Sequence, residues 1–152
     1  FDMVRSGLTQ LGYAAGRVQP DWLKPVLTWK SRIVQTRRIQ TGDRVSYEGT
    51  WSADKPCTIG TIPVGYGDGV PRSLSNKLEV LVEGEMIPVV GNVTMDYIMV
   101  NLGDMKLPAE AEVTLMGGGA WNASKWAEEA GSNVHEILTG LGDRMARSYT
   151  DY

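Results

Sequence analysis

From Asp21 onward, short apolar stretches recur about every 10 to 15 residues between Gly, Pro, Asn or Asp. That spacing leaves little room for long helices and is the pattern of an all-β domain. Strands are expected at Pro25–Ile39, Arg44–Thr50, Cys57–Pro63, Glu79–Val82, Glu85–Val90, Met95–Leu102 and Glu112–Met116. Several alternate: Leu27, Trp29 and Ile33 fall on one face of an extended chain and Lys30 and Arg32 on the other, so one face should be buried and one wet. Between Val80 and Ile87, the pair Glu83-Gly84 separates two strand-like runs and reads as a tight hairpin. Near the C-terminus the pattern turns helical. Ser124–Ala130 should form a helix stopped by Gly131, and a second should start at Asn133, with Glu136 at capping-box spacing, and end at Gly140 and Gly142.

The first 20 residues differ from the rest: an opening strand is followed by a loop-like stretch with Gly7, Gly12 and Gly16. A boundary is expected between Arg17 and Trp22, making residues 1–20 a stub of another domain and 21–152 the β domain. The opening Phe1-Asp2-Met3-Val4-Arg5 resembles neither a signal peptide nor a natural start, so the sequence reads as a piece of a longer protein.

With 42% hydrophobic and 22% charged residues the chain is globular in composition. A net charge of −3 gives no basic field for a nucleic-acid partner. Cys57 is the lone cysteine, which excludes an intramolecular disulfide; with His135 the lone imidazole, no metal centre is expected. His135 itself reads as structural or solvent-facing, and Cys57 as an ordinary strand residue. No apolar run approaches the roughly 20 residues of a membrane span. Asn92-Val93-Thr94 and Asn122-Ala123-Ser124 match the glycosylation acceptor pattern, a short pattern common by chance and here without secretory context.

Four clusters combine glycine, tyrosine and charge beyond what strand packing requires: Val4–Leu8, Val45–Thr50, Val64–Arg72 and Gly91–Asp96. Each has a bland reading beside a chemical one. Arg5 near Gly7 could serve an anion, or be a surface ion-pair residue. Tyr47 could be a packing residue on a strand, since an ordinary phenol needs strong help to act as a base at neutral pH. The Gly65-Tyr66-Gly67-Asp68-Gly69 run satisfies the rules of a tight turn and lacks the Lys-Ser/Thr of a phosphate loop. Met95 and Asp96 alone would be core and turn.

Taken together and in this order, the clusters resemble the C-terminal part of the alanine racemases, over essentially the full chain. That family carries a Phe-Asp-Met-Val-Arg-Pro-Gly-Ile type motif, then Ser-Tyr-Gly, Gly-Tyr-Ala-Asp-Gly 19 residues later, Val-Gly-X-X-Cys-Met-Asp, and a final Arg-X-X-Arg. Here Phe1–Leu8, Ser46-Tyr47, Tyr66 at the same separation of 19, Val90–Asp96 and Arg144–Arg147 follow in sequence. The resemblance implies a mainly β fold: a C-terminal β-barrel-like domain, preceded by the last strand of a (β/α)8 barrel and carrying two short helices.

It also implies a chemistry: interconversion of L- and D-alanine by two-base proton abstraction with pyridoxal 5′-phosphate, supplying D-alanine for peptidoglycan in the cytoplasm. Arg5 would donate to the cofactor's pyridine nitrogen and, because guanidinium holds its proton, keep that nitrogen unprotonated. Gly7 and Leu8 would offer backbone N–H groups to its phosphate. Tyr47 would be one of two catalytic bases, since inverting a stereocentre needs acid/base groups on both faces. In the family this tyrosine serves the other subunit's active site, which implies a homodimer. Met95 would lie near the substrate carboxylate, and Tyr66 and Asp96 would line the access passage.

The chain also departs from the family pattern. Asp143 stands where a tyrosine usually precedes the final Arg-X-X-Arg, which could open the pocket to serine or other amino acids. Asn92 replaces a common Arg in the passage, and Ser6 a usual Pro. None of Lys24, Lys30, Lys55, Lys77, Lys106 and Lys125 lies in the motif of the Schiff-base lysine, so this polypeptide alone is expected to be inactive. The competing readings are a basic amino-acid decarboxylase of the same barrel-plus-β architecture, which would not carry Ser46-Tyr47, and a non-enzymatic β dimerisation module.

Overall fold

The computed structural model describes residues 2–14, 18–108, 110–117, 119 and 121–150; Phe1, Gly16 and Arg17, on which part of the expected opening strand, loop and boundary rest, lie outside them. Nine strands are described: β1 (Trp29–Arg32), β2 (Gln35–Ile39), β3 (Arg44–Val45), β4 (Trp51–Ser52), β5 (Cys57–Ile62), β6 (Glu79–Val82), β7 (Glu85–Pro88), β8 (Ile98–Gly103) and β9 (Glu112–Met116). Helices α1 (Ala123–Ala130) and α2 (Val134–Thr139) follow. The domain is mainly β with two short helices, as the spacing implies.

The strands pair antiparallel in sheets of four (β1-β9-β6-β7), three (β2-β5-β8) and two (β3-β4). The two larger sheets meet twice. At one end the chain turns a corner: Ile33 N–H donates to Ala111 O on the first sheet's side (3.0 Å), and Val34 N–H donates to Thr61 O on the second's (2.9 Å). The expected single strand Pro25–Ile39 is therefore two strands that change sheets at this corner. At the other end Pro88 has no N–H to extend β7, and Val89 bridges Val100 of β8. The order is barrel-like, but among the described residues the ladder does not close.

Two further expected strands are shortened for local reasons. Extension after Arg44 stops at Val45 because Ser46 adopts φ 65°. The stretch from Met95 becomes a strand only at Ile98, because Thr94 Oγ1 accepts from Tyr97 N–H (3.0 Å) and donates to Tyr97 O (2.9 Å), closing a turn. The hairpin at Glu83-Gly84 forms as expected, with both residues at positive φ and Val82 facing Glu85. Asp2–Gly7 forms no strand, for no described strand offers it a ladder.

The larger core gathers the inner faces of both sheets, with Ile62, Val80, Val82, Ile98, Val113 and Leu115 almost fully buried. The amphipathic reading of Leu27–Ile33 holds: Trp29 and Ile33 are buried and Lys30 and Arg32 exposed. Trp126 of α1 closes this core, its ring 5.7 Å from that of Trp29. Tyr13 is buried there too, its hydroxyl accepting from Ala123 N–H (3.1 Å). A smaller core of Ile39, Val45, Ala53, Cys57, Ile59 and Val90 lies under the β3-β4 pair; burial there pushes the Cys57 thiol up.

Both helices begin at Asn caps. Asn122 Oδ1 accepts from Ser124 and Lys125 N–H, a cap the sequence reading did not assign. Asn133 Oδ1 accepts from Glu136 N–H (3.0 Å), but the Glu136 carboxylate takes the Ser132 hydroxyl instead of returning to Asn133, so half of the expected capping box is made. His135 is exposed on α2.

Candidate functional site

Tyr47 sits on a sharp turn between β3 and β4, not on a strand. Ser46 (φ 65°, ψ −178°) occupies a region normally reserved for glycine, and Glu48 (φ 62°, ψ −6°) is left-handed. Conformations of this kind cost about 1–3 kcal/mol each and persist only where the surroundings over-determine them. The geometry drives the phenol outward: Tyr47 is 74% exposed, and its hydroxyl meets no hydrogen-bond partner among the described residues. Beside it an open groove of about 710 Å³ is bounded by Val34, Thr61, Thr94 and Tyr97.

The surroundings that hold the turn centre on Asn92, which is 8% exposed. Its Nδ2 donates to Tyr47 O (3.0 Å) and to Glu48 Oε2 (3.1 Å), its Oδ1 accepts from Thr50 Oγ1 (3.2 Å), and its backbone carbonyl accepts from Ser46 Oγ (2.7 Å). Glu48 also pairs with Arg72 at 3.4 Å.

A second grouping joins two of the motifs. Tyr66 N–H donates to Thr94 O and Gly67 N–H to Met95 O, both at 2.9 Å, so the Tyr66 loop lies against the Met95-Asp96 turn. Arg144 ties the two together, with Nη2 donating to Asp96 Oδ1 (2.6 Å) and Nε 3.4 Å from Asp68 Oδ1. The hydrogen bond to Asp96, and after it the charge of Asp68, pushes the guanidinium's pKa further up. Asp68, nearly buried, also accepts from Gly65 N–H (2.9 Å) and so closes its own loop. Tyr66 and Met95 remain about half exposed. A smaller cavity of about 340 Å³ lies between this loop and the helices, against Gly131 and Glu136.

The remaining candidates stand elsewhere. Arg5 and Gly7 are exposed in the irregular segment that leads to a single 3-10 turn, Leu8–Leu11, and Leu8 packs its side chain on the larger core. None of the three lines the Tyr47 groove. Asp143 is fully exposed, 3.6 Å from Arg147, and lines neither cavity. The N-terminal set suits pyridoxal 5′-phosphate in its chemistry: among the described residues no acceptor meets the N–H of Gly7 or Leu8, and a Cβ at Gly7 would meet nothing within 4 Å. Backbone N–H groups without an acceptor and a guanidinium two residues away in sequence are the kinds of donor that a phosphate and a ring nitrogen would take. Among the described residues no three His, Cys, Asp or Glu gather as a metal site, and no helix is long and apolar enough to cross a membrane.

The sequence reading singled out Tyr47, Tyr66, Met95 and Asp96 but gave no positioning role to Asn92, Glu48 or Arg144. These act across 44 to 48 residues of sequence, and no local pattern marks them. The one local signal was Asn92 directly after a glycine in a cluster already of interest.

A family model described as alanine racemase, C-terminal domain, matches residues 26–149. The alanine racemase of Thermodesulfovibrio yellowstonii is 42% identical over 153 residues, covering 98% of this chain and 41% of that protein. That of Symbiobacterium thermophilum is 41% identical over 156 residues, with 98% and 41% covered. Among solved structures, the alanine racemase of Bartonella henselae with covalently bound pyridoxal phosphate superposes with a TM-score of 0.88 at 36% identity, over 95% of this chain and 40% of that one. The E. faecalis alanine racemase gives 0.88 at 30% identity, over 97% and 41%. The chain thus spans about two fifths of the length of the curated relatives it matches, and it belongs to the alanine racemase C-terminal domain family.

Proposed function

We propose that this chain is the C-terminal part of a pyridoxal-phosphate-dependent alanine racemase, and that Tyr47 is one of the two groups that move the α-proton of the substrate. The observation that carries this reading is the Tyr47 turn itself. A family member has spent backbone strain and a buried carboxamide to hold a phenol without a partner at the rim of an open groove. A phenol so placed can take a proton from one face of an α-carbon and return one to it. Arg5 would hold the ring nitrogen of the cofactor without surrendering its proton, and the N–H groups of Gly7 and Leu8 would hold its phosphate. When bound, the cofactor stabilises the negative charge left on the α-carbon.

Among the described residues Arg5 does not line the Tyr47 groove, in keeping with a homodimer in which the phenol works in the partner's site. Met95, Tyr66 and Asp96, gathered by Arg144, would line the way in. The lysine for the second face would come from outside these residues, so the chain by itself would be inactive. The product D-alanine would feed peptidoglycan, in the cytoplasm. A second reading, a racemase that also accepts serine, rests on Asp143 standing where the family carries a tyrosine, although its carboxylate faces solvent and lines neither cavity.

Tyr47→Phe in the full-length protein tests the proposal. Folding and dimerisation should survive, while turnover of alanine falls about 10²- to 10⁴-fold. Unchanged turnover would remove Tyr47 from the chemistry and favour a β dimerisation module. The same assay with L-serine, at a rate comparable to that with alanine, would support the broader specificity.

A further inference from the structure

We infer that Asn92 is the positioning residue of the Tyr47 phenol, a role that rests on Tyr47 being one of the two acid/base groups. The phenol hydroxyl has no partner among the described residues, so the backbone of residues 46–48 sets where it points. That backbone is strained at Ser46 and Glu48, and Asn92 meets both residues and the one between them. Its carboxamide is engaged at both ends: both Nδ2 hydrogens are given, one to Tyr47 O and one to Glu48 Oε2, while Oδ1 accepts from Thr50 Oγ1. At 8% exposure there is little water to replace a lost bond.

The chemistry of the site therefore asks for an amide. An aspartate in the same space would present an oxygen to the Tyr47 carbonyl where a donor is needed. It would also set a second carboxylate about where Nδ2 now lies, 3.1 Å from Glu48 Oε2. The turn could then relax away from Asn92 and carry the phenol with it, and displacements near 1 Å cost proton transfer on the order of 10²-fold.

The test uses the full-length, cofactor-loaded protein with Asn92→Asp, with Asn92→Ser as a milder change should the first fold poorly, and with Tyr47→Phe alongside. Exchange of the α-hydrogen in D2O is followed separately from L- and D-alanine, together with kcat, KM and dimer mass. In the Asn92 variants kcat should fall about 10- to 100-fold with KM within about twofold, and exchange should fall from one enantiomer only, the same one that Tyr47→Phe silences. Conversion of Glu48→Gln on top of Asn92→Asp should restore part of the lost exchange by removing the facing charge. Equal losses from both enantiomers, or no loss, with Tyr47→Phe still one-sided, would overturn the role of Asn92 alone. If Tyr47→Phe is itself not one-sided, the reading of Tyr47 fails and the role of Asn92 falls with it.

Discussion

A Cβ at position 91 would lie 2.7 Å from both Ser46 Cβ and Val45 O, with the backbone at φ 78°. At Gly91 two segments distant in sequence meet: only a glycine lets the chain carrying Asn92 come close enough to grip the Tyr47 turn. Gly91→Ala should destabilise the protein by about 1–3 kcal/mol through crowding alone, with a further cost from the left-handed backbone. Thermal unfolding of the full-length variant measures it; an unchanged midpoint would mean that the approach of the two segments is looser than described. At this scale the sequence was legible only in part. Tyr47, Tyr66, Met95 and Asp96 stood in recognisable motifs. The strain at Ser46, and its retention by Asn92 46 residues away, did not, because a serine carries no local signal for a glycine-like conformation.

Elements were more legible than residues where a local rule governs and less so where the partner decides. The β6-β7 hairpin follows from Glu83-Gly84, α1 from its Gly131 stop and α2 from Asn133 and Gly140. The corner at Ile33 and Val34 does not, since no Gly or Pro punctuates the chain there and the switch of hydrogen-bond partner, from Ala111 to Thr61, divides β1 from β2. The tie between the N-terminal segment and α1 also escapes pattern, being one hydroxyl. Tyr13→Phe would leave the buried Ala123 N–H without its acceptor, at a cost of about 1–3 kcal/mol. Burial raises the Tyr13 pKa, against a smaller lowering by the Ala123 contact, so the folded state keeps a proton that the unfolded chain has already lost. The contribution of the neutral phenol is complete below the ordinary tyrosine range near ~10 and is lost as pH rises through the higher folded value. Denaturation followed across that range should show a fall in stability that is smaller in Tyr13→Phe. A fall of equal size in both would place the titrating group elsewhere.

Over the whole molecule the chain presents two sets of chemistry that do not touch. Arg5, Gly7 and Leu8 lie on the N-terminal segment; Tyr47 and the Tyr66–Met95–Asp96 group lie around the turns beside the sheets, joined through the neighbouring segments Gly91–Val93 and Thr94–Asp96. Strand spacing foretold a mainly β fold, and the ordered motifs foretold its family. The way the two large sheets wrap one core, meeting at a chain corner and a single bridge, depends on pairings between distant strands that spacing does not encode. Under the proposed function, with Arg5, Gly7 and Leu8 apart from the phenol in one chain, a working site would need a second subunit and a lysine from the rest of the protein. The α-hydrogen of L- and D-alanine should then be exposed to two different groups. The most direct measurement is α-hydrogen exchange in D2O by full-length Tyr47→Phe, started from each enantiomer in turn. Exchange from one enantiomer should persist while the other loses it and racemisation stops; equal exchange from both, or racemisation at the original rate, would show that Tyr47 moves no proton.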